Sequence, residues 1–249
     1  MDDARLLRYS RHILLPELGL EAQAKFAAAH ALVIGAGGLG APAAQFLVAA
    51  GVGTLTLCDP DTVDLTNLQR QILYATPDVG SPKVAAAKAR LAAINPDARV
   101  ETLEARVGPD ELAPLVARAD VVLDCCDNFA TRHAVNRACV AAKKPLVSGA
   151  AIRFDGQIAV FDTRDPASPC YHCLFGEGED LDETRCAVMG VFAPVVGIVG
   201  ATQAAEALKL VAGAGESLAG RLLLLDAYAM HWREVRIPRD PKCPVCGPT

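Results

Sequence analysis

The chain has 249 residues, 52% hydrophobic and 21% charged, which excludes disorder for most of its length. Its formal net charge of -5, with no basic tract, argues against a nucleic-acid-binding protein. Nine cysteines, five of them scattered, argue against a complete disulfide framework and for a reducing, cytoplasmic setting in which some cysteines do chemistry or hold metal. The acidic start Met1-Asp2-Asp3 lacks the layout of a signal peptide.

In chain order, a helical arm (1–30) leads to a strand at 31–34, a glycine turn at 35–40 and a helix at 41–50. A second strand covers 54–58 and ends at Asp59, and a helix at 83–95 is stopped by Pro96. Strands follow at 100–103, 121–124 and 145–148, and a half-exposed one at 157–161. A polar loop at 176–185 precedes an apolar helix at 188–205, and two late strands at 221–226 and 232–237 read as antiparallel. The alternation predicts an α/β fold: a Rossmann-like, mostly parallel sheet extended by antiparallel strands, in a single domain over 1–249. The nucleotide-binding half would be 31–150, and 151–249 would extend the same sheet.

Residues 188–205 carry no charge and approach the ~18-residue lower limit for a membrane span. Pro194 and Gln203 interrupt the run, and Glu206 and Lys209 continue its helical pattern. A buried helix at a subunit interface is expected, with Gly190, Gly197 and Gly200 permitting close packing, and no membrane association.

Gly35-Ala36-Gly37-Gly38-Leu39-Gly40 fits G-x-G-x-x-G between a strand and a helix. Gly35 and Gly37 allow a tight turn and close approach of phosphate, and Gly40 allows close helix–strand packing. Asp59 is placed to bind ribose hydroxyls. Alone, this pattern predicts a dinucleotide oxidoreductase. The next segment carries Arg70 and, after the Gly80-Ser81-Pro82 turn, Lys83, two cations that could neutralise a triphosphate or be solvated surface charges.

Cys170-Tyr171-His172-Cys173 and Cys243-Pro244-Val245-Cys246 are two C-x-x-C pairs that suit a tetrahedral structural Zn²⁺ site tying the tail to the middle of the chain. A redox disulfide is the alternative for either pair, and His172 is not expected as a ligand of that zinc. Cys58, Cys125, Cys126 and Cys139 read as core residues.

Taken together, Gly35 to Gly40, Asp59, Asn67-Leu68-Gln69-Arg70-Gln71, Lys83, Asp127-Asn128 and Arg8-Tyr9-Ser10-Arg11 resemble the MoeB/ThiF/HesA family of ubiquitin-activating-enzyme-like adenylyltransferases. The resemblance covers the chain from about 7 to 247. It implies ATP-dependent adenylation of the C-terminal glycine of a ubiquitin-like sulfur carrier ending in Gly-Gly, with release of pyrophosphate. It further implies that Gly38 lies against the phosphates, that Asp59 binds ribose, and that Thr66, Asn67, Leu68, Gln69 and Arg70 lie along the nucleotide. Lys83 would stabilise phosphate charge, and Asp127, beside Asn128, would hold Mg²⁺; Asp124 competes for that role. Arg11 would reach the phosphates of a neighbouring subunit, making a homodimer a catalytic requirement, and 151–249 would be the carrier-binding and zinc half. Cys186 occupies a position that links covalently to the carrier in some relatives and is dispensable in others.

Within the family, the segments 148–153 and 190–194 look more like the molybdopterin branch, while 8–11 and 41–44 look like the thiamine thiazole branch. Adenylation of the molybdopterin carrier, in molybdenum cofactor biosynthesis, is the favoured expectation, with the thiazole carrier or several carriers as alternatives. A nicotinamide oxidoreductase would leave Asn67, Arg70 and Lys83 without a role. A non-catalytic scaffold would not need Arg70 or Asp127.

Overall fold

A computed structural model describes residues 1–177 and 189–247. The helical arm comprises α1 (Asp3–Arg8), α2 (Ser10–Ile13) and α3 (Gly19–Ala28). β1 (His30–Ile34), α4 (Gly40–Ala49), β2 (Thr54–Cys58), α5 (Lys83–Ile94) and β3 (Arg99–Leu103) follow. Then come α6 (Pro109–Arg118), β4 (Val121–Asp124), α7 (Phe129–Ala142), β5 (Leu146–Ile152) and β6 (Asp155–Phe161). The chain ends with α8 (Tyr171–Leu174), α9 (Ala193–Ala212), β7 (Arg221–Asp226) and β8 (His231–Arg236).

One eight-stranded sheet has the order β3-β2-β1-β4-β5-β6-β7-β8. The pairs from β3 to β5 are parallel, and those from β5 to β8 antiparallel. β1 after His30 and β4 before Asp124 are apolar runs because helices cover both faces of a parallel sheet. One apolar layer packs the sheet against α4, α5 and α9 through Leu47, Leu91 and Val199. The other packs it against α6 and α7 through Leu112, Val116 and Val135. Strand order reverses between β1 and β4, and it is at the carboxyl ends of such strands that open α/β sheets bind ligands.

Several elements differ from the sequence expectation. β6 is mostly buried rather than half-exposed, because α9 lies on it: a Cβ on Gly156 would come 2.8 Å from Val199. α9 starts at Ala193, with Pro194 opening the helix rather than interrupting it, and ends at Gly213 in the left-handed region (φ 69°). α6 and α7 are absent from the sequence expectation: α6 carries Leu112, Leu115 and Val116 at helical spacing, whereas α7 hides its period by burying Arg132, His133 and Asn136. The 176–185 loop falls mostly outside the described residues.

α9 is long and apolar enough to cross a membrane, with a mean hydropathy of 1.4, yet half of it is buried in the fold, much of it against α4 and β5. Of the three glycines expected to permit close packing, Gly200 does so: a Cβ there would lie 2.2 Å from the Leu39 carbonyl oxygen. Gly197 has open space around it, and Gly190 precedes the helix. Gly200→Ala is therefore expected to destabilise by about 1–3 kcal/mol, lowering Tm by roughly 2–4 °C per kcal/mol. Gly197→Ala should not lower it; calorimetry on the two variants tests the contrast.

Candidate functional site

The glycine turn is closed by its own geometry. Gly35 has φ +96°, and a Cβ there would sit 2.7 Å from the Cys125 carbonyl oxygen, so the ends of β1 and β4 meet through it. A Cβ on Gly40 would lie 1.8 Å from the Gly35 oxygen, which lets α4 start directly behind the turn. Gly38 has a further reason to be glycine that local sequence does not reveal: its Cβ would meet Val196 of α9 at 3.0 Å. The amino end of α4 faces this turn, an arrangement that favours an anion.

Asp59, at the end of β2, is 6% exposed. It accepts hydrogen bonds from the Ala36 N–H (2.7 Å) and the Asp61 N–H (2.9 Å), and so stitches the loop after β2 to the glycine turn. Burial raises its carboxyl above the usual range, against the pull of the Ala36 amide and Lys83. Lys83, 5% exposed at the start of α5, lies 2.9 Å from Asp61 and 3.9 Å from Asp59. It is not a solvated surface charge.

The following loop folds over the turn. The Tyr74 hydroxyl donates to the Ala36 carbonyl at 2.7 Å. Within it, Asp64 caps the short helix 65–67, accepting from the Thr66 N–H (2.8 Å) and hydroxyl (2.6 Å), while the Asp64 N–H donates to Asn67 Oδ1. Thr66 and Asn67 thus shape the loop, and the Asn67 amide nitrogen remains a donor. Leu68 packs on the core, Gln69 is exposed, and Arg70 is half-buried with its guanidinium on the Thr66 carbonyl at 3.1 Å.

At the end of β4, the two aspartates divide. Asp127 is exposed, and Asn128 caps α7 through the Thr131 N–H. Asp124 is fully buried, and its Oδ2 accepts from Arg132 (2.9 Å) and the Ser148 hydroxyl (2.8 Å). It is a structural group, not an exposed metal ligand. Arg132 also donates to the carbonyls of Cys126 and Gly149. Burial opposes its charge, but Asp124 outweighs this and its pKa is raised. Gln203 of α9 donates to the carbonyls of Asp124 (2.8 Å) and Val147 (3.1 Å). Arg132 and Gln203 are the site-forming residues that sequence reasoning missed. Cys126 is half-buried, not a core residue, and its thiol donates to Asp124 Oδ1 at 2.7 Å. Cys58, Cys125 and Cys139 are buried; burial pushes the Cys58 thiol up to about 12.

Arg11 is exposed on α2. The preceding Tyr9 is buried against Gly51 and accepts from Asn95 at 2.8 Å, which fixes the arm at the carboxyl ends of α4 and α5.

Cys170, Cys173, Cys243 and Cys246 converge with all four sulfurs within 4.8 Å of one another. Neighbouring sulfurs are 4.0, 3.7 and 3.5 Å apart. A disulfide needs about 2.05 Å, whereas four thiolates at about 2.3 Å around one tetrahedral ion stand about 3.8 Å apart. The donor set fits zinc. Cys186 lies outside the described residues.

Residues 9–245 match the ThiF family, and the chain belongs to it. The molybdopterin-synthase adenylyltransferase of Escherichia coli is 46% identical over 99% of this chain and 98% of that protein. The sulfur carrier protein ThiS adenylyltransferase of the same organism is 47% identical over 99% and 97%. Among solved structures, E. coli MccB with ATP superimposes with a TM-score of 0.85 at 26% identity, covering 96% of this chain and 75% of that one.

Removing Arg132 would strand the Asp124 charge in the interior. Arg132→Met should cost about 3–5 kcal/mol in urea unfolding. Adding Asp124→Asn to it should recover part of that loss, and a strictly additive double mutant would show that the pair is not coupled.

Proposed function

We propose that the protein is an ATP-dependent adenylyltransferase acting on the C-terminal glycine of a ubiquitin-like sulfur carrier ending in Gly-Gly. The observation that carries the reading is the junction of the glycine turn, buried Asp59–Lys83 and the Arg70 loop at the strand-order reversal. A nicotinamide dinucleotide needs the turn and Asp59 alone. The extra cations suit the charge of a triphosphate.

In this reading Gly38 and the amino end of α4 receive the phosphates, and Asp59 the ribose hydroxyls. Thr66, Asn67, Leu68, Gln69 and Arg70 line the nucleotide, with Asn67 and Arg70 toward its phosphates. Lys83 and Arg70 offset charge as the carrier carboxylate bonds to the α-phosphorus and the bond to pyrophosphate breaks. A carboxylate and a triphosphate repel each other, so positioning and cations do most of the work. Asp127, beside Asn128, offers the oxygen donors that Mg²⁺ prefers, and would hold an ion whose charge offsets that of the departing pyrophosphate. The four cysteines hold structural Zn²⁺, and the setting is cytoplasmic.

Arg11 would complete the site of a second subunit in a homodimer. α4 spans about 15 Å from turn to tail, and the arm is anchored beyond its tail, away from the turn of its own chain. The identities of 46% and 47% do not separate the two pathways. The segments 148–153 and 190–194 favour the molybdopterin carrier, with the thiazole carrier as the second reading. Whether Cys186 bonds to the carrier is a separate question from adenylation.

Carrier-dependent exchange of labelled pyrophosphate into ATP tests the reaction, with the two carriers run in parallel. Arg70→Ala and Asp127→Ala should each abolish exchange with zinc content unchanged; normal exchange in either would remove that residue from the site. Arg11→Ala and Asp127→Ala chains, each inactive, should regain about a quarter of wild-type activity when mixed and allowed to exchange subunits, since half the dimers then hold one intact site. No recovery from mixed dimers would place Arg11 in the site of its own chain, or outside the site altogether.

A further inference from the structure

A second group of donors stands beside the four cysteines. His133 of α7, His172 of the first cysteine knuckle and Glu177 bring their ligand atoms within 4.8 Å of one another. His172 lies in sequence between Cys170 and Cys173, yet its ligand atom groups with His133 and Glu177 rather than with the four sulfurs, and its ring stands edge-on to that of His133 with centroids 5.7 Å apart. His133 is 5% exposed, and its Nδ1 is buried without a hydrogen-bond partner. The Nδ1 of His172 is likewise buried and unpartnered. An orphaned buried nitrogen costs stability, and here two neighbouring rings each carry one. Glu177 brings the opposite charge: its Oε1 lies 3.7 Å from His133 Nδ1 and is held by Arg137.

We propose that His133, His172 and Glu177 form a second metal site, for a divalent first-row transition ion such as Zn²⁺, distinct from the four-cysteine site. Two imidazoles and a carboxylate are a donor set for such ions. Metal–nitrogen bonds of about 2.0–2.1 Å require donors about 3.3 Å apart. The remaining closure falls to His172 and Glu177, neither of which is fully buried. Binding through Nδ1 of each ring would satisfy both orphaned nitrogens at once. It would also tie Glu177 to α7, fixing the chain nine residues before Cys186. α7 begins at the Asn128 cap beside Asp127, so the ion would brace the same helix that frames the proposed nucleotide site.

The test is metal stoichiometry on the full chain, with Zn²⁺ and Co²⁺ as the probes. Co²⁺ bound to the four cysteines gives thiolate charge-transfer absorption, whereas a histidine–carboxylate site gives none, so the two are read separately. The wild-type protein is expected to hold two equivalents of Zn²⁺ per chain. His172→Gln and Glu177→Gln should each hold one, or bind the second at least about tenfold more weakly, with the thiolate absorption retained. Retention of that absorption shows that a variant is folded around its cysteine site. One equivalent in the wild type, or two equally tight equivalents in both variants, would overturn the proposal.

Discussion

The buried ion pair between Arg132 and Asp124 holds the end of β4 to β5 and α7. One guanidinium joins the carboxylate at the end of β4 to the Ser148 hydroxyl and the Gly149 carbonyl of β5, and to the Cys126 carbonyl in the loop beyond. A charge at this depth is tolerable only when it is paired and hydrogen-bonded. That constraint fixes the backbone from 124 to 128, and with it the place from which Asp127 leaves the sheet. Gln203 adds a second tie from α9 to the same two strands.

The same economy of space runs through the glycine turn. Gly35 lets β1 and β4 meet, Gly40 lets the turn close, and Gly38 and Gly200 let α9 lie against the start of α4. The turn is therefore gripped from two sides, by Asp59 through its Ala36 amide and by α9 through Val196. In the proposed reading, where the turn receives a triphosphate, such rigidity would aim the amides before the ligand arrives. α9 belongs to the second half of the chain, so the glycine turn depends on residues more than 150 positions away for its shape.

The four-cysteine cluster sets a different constraint. It joins residues 170 and 173 to residues 243 and 246 across a long stretch that includes α9, β7 and β8. Closing a loop of that length is costly in entropy, and a metal staple would offset the cost once the ligands are ionised. Asn136 of α7 donates to the Cys170 sulfur at 3.7 Å and accepts from the Tyr171 N–H at 3.0 Å. α7 thus connects the cluster at its inner face to the ion pair at its start, four residues earlier.

Sequence alone determined the parts whose chemistry is local. The apolar runs of β1, β2, β4 and β7, the glycine turn with Asp59, and the two C-x-x-C knuckles are each written in a few consecutive residues. Only the tertiary structure decided the rest. α7 hides from apolar periodicity because its inner face carries Arg132, His133 and Asn136, whose burial is acceptable only once Asp124, Ser148, Cys170 and their neighbours surround them. Gly38 and Gly200 are glycines for the sake of a helix far along the chain. Lys83 could be told from a surface lysine, and Asp124 from a metal ligand, only when burial and partners were seen. Spacing reports which groups can share a turn or a knuckle; long-range packing decides which charges are desolvated and paired, and that depends on chain closure rather than on neighbours in sequence.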